Sequence, residues 1–207
     1  MADDSWEPAA RRLGVLRVID ANRNRATEGL RVVEEYCRFV LDDAHLTHRY
    51  RALRHELTAA LADLPLAELA AARDTPGDVG TAAQPLPATG ARTSPRAVAT
   101  ASSERAKQAL RAIEEYGKTL DPGAARRVEA LRYTLYTLEK AWLNTTDSRE
   151  RLSHARLYVL IDAGPSEAAF VARVRRLITA GVHVLQLRDK ACDDRTLVSR
   201  ARLLRQL

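Results

Sequence analysis

Arg25-Ala-Thr-Glu-Gly-Leu-Arg-Val-Val-Glu-Glu-Tyr36 returns 80 positions later as Arg105-Ala-Lys-Gln-Ala-Leu-Arg-Ala-Ile-Glu-Glu-Tyr116. Inside and just beyond this stretch, Ala26, Leu30, Val33, Cys37 and Val40 recur as Ala106, Leu110, Ile113, Gly117 and Leu120. Alternating steps of four and three residues mark one face of an α-helix, so each copy is read as an amphipathic helix with a closely similar apolar stripe.

Working outward, each copy has a second echo: Ala52-Leu53-Arg54 with Leu57, and Ala130-Leu131-Arg132 with Leu135. Asp42-Asp43 and Asp121-Pro-Gly123 lie between the paired segments, where turn and N-cap chemistry belongs. Two helical hairpins with matching apolar faces bury them against one another. The expected fold is therefore mainly α, a duplicated helical-hairpin (four-helix) bundle, with repeats at about 16–62 and 96–143 inside a helical domain of residues 1–143. Between the repeats lies a Pro- and Gly-rich loop, 73–95, opening with Arg73-Asp-Thr-Pro-Gly-Asp-Val-Gly-Thr81. The helical pattern is expected to end at Asn144-Thr-Thr-Asp-Ser148, placing a linker at 144–155.

The remaining residues, 156–207, change character. Leu157-Tyr-Val-Leu-Ile161 is a short apolar strand, Ser166 to Ala180 a crossover helix, and Gly181-Val-His-Val-Leu-Gln-Leu-Arg-Asp-Lys190 a second strand running into polar residues. That is a βαβα piece. A closed α/β barrel needs roughly 250 residues, so the piece is expected to be incomplete, a TIM-type barrel truncated after its second strand. Gln186, Arg188 and Lys190 project to one side at the end of that strand, where parallel α/β folds carry their sites. An amphipathic edge strand is the plainer reading. Strands buried on both faces seldom end this way, however, which favours a site.

Composition narrows the function classes. The chain has 33 Lys+Arg against 27 Asp+Glu and a net charge of +6, with 11 basic and 5 acidic residues in 151–207, so the first 150 residues are balanced. The tail arginines have almost no aromatic partners, which speaks for solvated helix faces and against a nucleic-acid surface. No apolar run is long enough to span a bilayer, and the acidic N-terminus lacks the apolar core of an export signal, so no membrane partner and a cytoplasmic location are expected. Cys37 and Cys192 lie in no metal-ligand spacing; Cys37 falls on the apolar stripe and reads as core. His45, His48 and His55 have no suitably spaced Cys or paired carboxylate, and no metal site is assigned. The glycines of Asp74-Thr-Pro-Gly-Asp-Val-Gly80 could present N–H groups to an anion, but no Gly-x-x-x-x-Gly-Lys-Ser/Thr occurs, so phosphoryl chemistry of the P-loop kind is excluded.

The first repeat helix also carries a polar stripe, Asn24, Glu28, Arg31 and Glu35, with Asp20, Asn22 and Arg23 crowding its start. Such i, i+4 sets are ordinary on exposed helix faces, and charges kept in both copies (Arg31/Arg111, Glu34/Glu114, Glu35/Glu115, Arg54/Arg132) suit an ionic network that fixes helix register. The copies diverge elsewhere. Asp20, Asn22 and Asn24 stand opposite Thr100, Ser102 and Glu104, and asymmetry in a symmetric bundle turns one of two equivalent clefts into a site. Asp20, Asn22, Asn24, Arg25 and Arg31 are the candidates, with Arg and Asn suited to a phosphorylated heterocycle.

The tail, from Leu157-Tyr-Val-Leu-Ile161 through Gln186-Leu-Arg-Asp-Lys190 and Asp193-Asp194, resembles the opening of thiamine-phosphate synthase, an α/β barrel. The front, with Arg17-Val-Ile-Asp-Ala-Asn-Arg-Asn-Arg25 running on to Tyr36 and with Arg73-Asp-Thr-Pro-Gly-Asp78, resembles the helical domain fused to some bacterial members, proposed as a hydroxymethylpyrimidine-phosphate kinase. The resemblance implies a transferase of thiamine biosynthesis that joins hydroxymethylpyrimidine diphosphate to thiazole phosphate with release of pyrophosphate. It implies that Gln186, Arg188 and Lys190 contact the pyrimidine diphosphate. It also implies Mg²⁺, with ligands beyond these 207 residues, and ATP as a candidate substrate of the helical domain. The expected partners are phosphorylated pyrimidine and thiazole, with self-association left open. A non-catalytic dimerisation or substrate-handover module is the alternative reading of the helices.

Overall fold

The computed structural model describes residues 8–80 and 92–207; the stretch 81–91 of the Pro- and Gly-rich loop and the acidic start, 1–7, lie outside the described residues. The chain is mainly helical. In order it forms α1 (Pro8–Phe39), α2 (Ala44–Ala60), α3 (Leu66–Ala71), α4 (Pro95–Gly117), α5 (Pro122–Ser153), β1 (Tyr158–Ile161), α6 (Glu167–Thr179), β2 (Val184–Leu187) and α7 (Asp194–Gln206). It divides into two compact units, 1–146 and 147–207, the division falling within α5.

In the first unit α1 packs against α4, α2 and α3. The apolar stripe read from the repeat is buried: Ala26, Leu30, Val33 and Cys37 from α1 and Ala106, Leu110 and Ile113 from α4 join Leu53, Leu57, Leu131, Leu135 and Trp142 in one core. Burial pushes the Cys37 thiol up to about 12, so it stays a small neutral core residue. Val40, by contrast, is exposed beyond the end of α1. Asp43 caps α2, its carboxylate accepting the Leu46 N–H at 2.9 Å, and Ser94 caps α4 by accepting the Ala97 N–H at 3.1 Å. Pro122 begins α5, where its missing N–H costs nothing, and the preceding Asp121 accepts the Gly123 N–H at 2.7 Å.

Gly29 marks the closest approach of α1 and α4. A Cβ there would stand 2.7 Å from the Ser102 carbonyl oxygen and 3.1 Å from the Ala106 Cβ. The charges kept in both copies form matching pairs. Glu34 accepts from Arg54 at 3.2 Å and Glu114 accepts from Arg132 at 2.8 Å, tying each repeat helix to its following partner. Arg31 and Arg111 each reach the carboxylates three and four residues on.

The helical pattern continues past the sequence-based boundary at Asn144, to Ser153. Thr145 and Thr146 do not cap the helix; their hydroxyls donate back to the carbonyls of Ala141 and Trp142 at 3.0 and 2.9 Å and are absorbed into it.

In the second unit β1 and β2 pair in parallel, Tyr158 opposite Val184 and Ile161 opposite Leu187, with α6 between them in sequence. Ser166 caps α6 through the Ala169 N–H, and Ala180 ends it. Phe170 and Val174 of α6 pack with Ile161, joined by Val159, Leu185 and Leu187 from the strands and Leu203 and Leu204 from α7. Asp193 caps α7 through the Thr196 N–H at 2.9 Å.

Candidate functional site

A cleft of about 610 Å³ opens beside the first half of α1, closed on its other side by residues 73–79. Its α1 wall is set by helical spacing: Arg17, Asp20, Ala21, Asn24 and Arg25 recur at steps of three, one, three and one, placing them on one face of adjacent turns. Asn22 also reaches the lining.

Asp20 is buried, and its two carboxylate oxygens accept from Arg73 Nε at 2.7 Å and Nη2 at 2.9 Å. This is the planar two-bond geometry in which arginine holds a carboxylate most firmly. Arg17 Nη2 donates to the Asp74 carbonyl at 3.3 Å, a second tie between α1 and the loop. The loop then turns on its own carboxylates, Asp74 accepting the Gly77 N–H and Asp78 the Gly80 N–H, each at 2.9 Å. Asn22 Nδ2 donates to the Val18 carbonyl at 2.9 Å, leaving its Oδ1 as an acceptor in the cleft.

The equivalent stretch of the second copy is arranged differently. Lys107 Nζ lies 2.6 Å from Glu104 and 2.8 Å from Glu139, and Ser103 donates to Glu139 at 2.8 Å. Ser102, the counterpart of Asn22, is buried against Gly29. Asn24 of the cleft is thus replaced in the second copy by Glu104, which pairs with Lys107, whereas Arg25 is kept as Arg105.

Of the residues singled out from sequence, the cleft gathers Asp20, Asn22, Asn24 and Arg25. Arg31 is not among its lining; its guanidinium pairs with Glu35 at 3.0 Å, because a carboxylate four residues on lies on the same helix face. Arg17 and Arg73, which are not among the sequence candidates, also line the cleft. Arg73 lies 53 positions from its partner, a separation that no spacing rule marks, whereas Arg17 stands one turn before Asp20 on the same face of α1 and could be read from spacing.

In the second unit Gln186 lies in β2 opposite Leu160, Arg188 follows the strand with its N–H donating to the Ile161 carbonyl at 2.8 Å, and Lys190 lies beyond; all three side chains are exposed. Asp189, between them, organises this end of the sheet. Its carboxylate accepts N–H groups from Ala191, Cys192 and, across from the β1 end, Ala163, and these bonds hold it below the usual carboxylate range. Asp162 is likewise held low, by Arg173 at 2.6 Å and the Gly164 N–H.

Among the described residues no group of three or more His, Cys, Asp and Glu stands together in a way that could hold a metal ion, and no helix is long and apolar enough to cross a membrane. His45, His48 and His55 are exposed on α2.

The model of the ThiD2 family matches residues 17–141. The thiamine-phosphate synthase of Rhodopirellula baltica is 45% identical over 195 residues, covering 91% of this chain and 51% of the relative. Those of Nostoc punctiforme and Thermosynechococcus vestitus are each 41% identical, covering 93% and 97% of this chain and 52% and 55% of the relatives. The chain thus spans about half the length of the curated relatives it matches. No solved structure matches it.

Proposed function

The chain belongs to the ThiD2 family, and on that premise we propose that its helical unit binds a pyrimidine monophosphate in the cleft between α1 and residues 73–79 and phosphorylates it with ATP. The whole reading is a transferase of thiamine biosynthesis. Its second unit is the opening of a thiamine-phosphate synthase barrel, and its first is a duplicated helical-hairpin bundle. The observation that carries the reading is the cleft itself, since it collects cations and amide groups on one wall in the copy whose sequence departs from its repeat.

Arg25 and Arg17 supply the positive charge that a phosphate monoester requires. Arg25 makes no hydrogen bond or ion pair to the described residues, so its guanidinium can serve the ester with two parallel bonds. Asn22 Oδ1 suits the amino group of the heterocycle and Asn24 its ring nitrogen. With the ester so held, a phosphate oxygen attacks the γ-phosphorus of ATP, the bond to the β–γ bridging oxygen breaks, and ADP departs with that oxygen's charge. The protein's part is positioning and charge stabilisation. Mg²⁺ would enter as the counter-ion of ATP.

In the second unit Gln186, Arg188 and Lys190 would contact the pyrimidine diphosphate, Arg and Lys offsetting charge on the departing pyrophosphate. A handover module is the second reading, favoured by the lack of any P-loop-type nucleotide motif.

Calorimetric titration with hydroxymethylpyrimidine monophosphate tests the cleft. The wild-type chain is expected to bind one equivalent, and Arg25→Ala to weaken binding roughly 10- to 100-fold, the value of one charge-assisted pair. Equal affinities of wild type and Arg25→Ala would remove the ester from this cleft.

A further inference from the structure

We infer that Arg73 is a positioning residue for the cleft, acting through Asp20 to hold residues 74–79 against α1; the inference rests on the reading of the cleft as the site of a phosphate monoester. Asp20 is buried and is met by both Nε and Nη2 of Arg73, whose side chain is itself half exposed on the loop. A buried carboxylate needs a partner. Here that partner comes from a segment 53 residues away that forms no helix or strand, so the pair is what fixes where the loop begins. Arg17 then takes the next carbonyl, that of Asp74, and the loop turns on Asp74 and Asp78 to bring Thr75, Gly77 and Val79 to the cleft wall.

Of the three arginines at the cleft, Arg73 and Arg25 have different duties. Arg73 is committed to Asp20 in both of its parallel bonds, whereas Arg25 has no protein partner among the described residues. The ligand's charge falls chiefly to Arg25, with Arg17 beside it on the same wall, and Arg73 sets the opposite wall. Lysine at position 73 would keep the charge but lose the two-bond geometry, since an ammonium has no planar fork.

The test is steady-state phosphorylation of the pyrimidine monophosphate by the 207-residue chain, with amide hydrogen exchange of residues 74–80 on the same samples. Arg73→Ala is expected to raise KM for the monophosphate roughly tenfold or more with a smaller change in kcat, as misplaced binding groups do. Exchange at Gly77 and Gly80 should quicken, with Arg73→Lys between the two. Because Arg73→Ala leaves Asp20 buried without its partner, the double variant Asp20→Asn, Arg73→Gln removes both charges and gives the same readout where the single variant fails to fold. Wild-type turnover with unchanged KM and unchanged loop exchange in these variants overturns the role of Arg73 alone. A wild-type chain that neither binds nor turns over the ester overturns the reading of the cleft and the inference with it.

Discussion

Glu114→Ala is expected to lower the melting temperature of the helical unit by about 6–20 °C. Glu114 and Arg132 are both buried, 2% and 7% exposed, and join α4 to α5 at 2.8 Å. Truncating one member of a buried ion pair leaves the other's charge desolvated, which costs about 3–5 kcal/mol. For a unit of this size each kcal/mol moves the midpoint by about 2–4 °C. Among the described residues the arginine then keeps the Tyr136 hydroxyl, at 3.0 Å, and the ring faces of Tyr133 and Tyr136, none of which neutralises it. Removing both charges, Glu114→Leu with Arg132→Met, should recover most of the loss, since an apolar pair of similar volume has no desolvation cost. Neighbouring Glu115 pairs with Arg111 and Lys118 while staying solvated, and its truncation should shift the midpoint by no more than about 2 °C. A Glu114→Ala midpoint within 2 °C of wild type, measured by circular dichroism, would show that this pair does not hold α4 to α5.

Gly29→Leu is expected to unfold the helical unit at ordinary temperature or to cost at least about 3 kcal/mol, at or beyond the upper end for overpacked cores. A Cβ at this position meets the Ser102 carbonyl oxygen at 2.7 Å, and backbone cannot rotate aside as a flexible side chain can. The helices would have to separate, and α1 packs against α4 through the core residues Ala26, Leu30, Ala106 and Leu110. Gly29→Ala should cost less, about 1 kcal/mol or more, because better helix propensity offsets part of the contact. A Gly29→Leu chain with the wild-type midpoint would mean that the helices do not cross at this glycine.

The mainly helical character and the buried stripe were legible because periodicity survives for three turns in α1 and α4 and because the second copy repeats it. The ionic network was legible for the same reason: Glu34 with Arg54 and Glu114 with Arg132 keep their chemistry at corresponding places. The short helix α3 was not foreseen, since six residues give less than two turns of pattern. The end of α5 is not legible at Asn144-Thr-Thr because threonine, a common cap, can also bond back within a helix. For the cleft, Asp20, Asn22 and Asn24 could be named from their divergence between copies, whereas Arg25 is kept as Arg105. The loop's contribution could not, because a pair such as Asp20 with Arg73 has no spacing rule, and Arg31, a candidate from the polar stripe, is claimed by its carboxylate neighbours.

On the proposed function, the helical unit phosphorylates a pyrimidine monophosphate in this cleft. The most direct test is mass spectrometry of the chain incubated with hydroxymethylpyrimidine monophosphate, ATP and Mg²⁺, alongside Asn22→Ala and Arg25→Ala. Pyrimidine diphosphate formed by the wild-type chain and lost in both variants is the predicted result. A correctly folded wild-type chain that yields no diphosphate, or variants that form it at the wild-type rate, would contradict the claim.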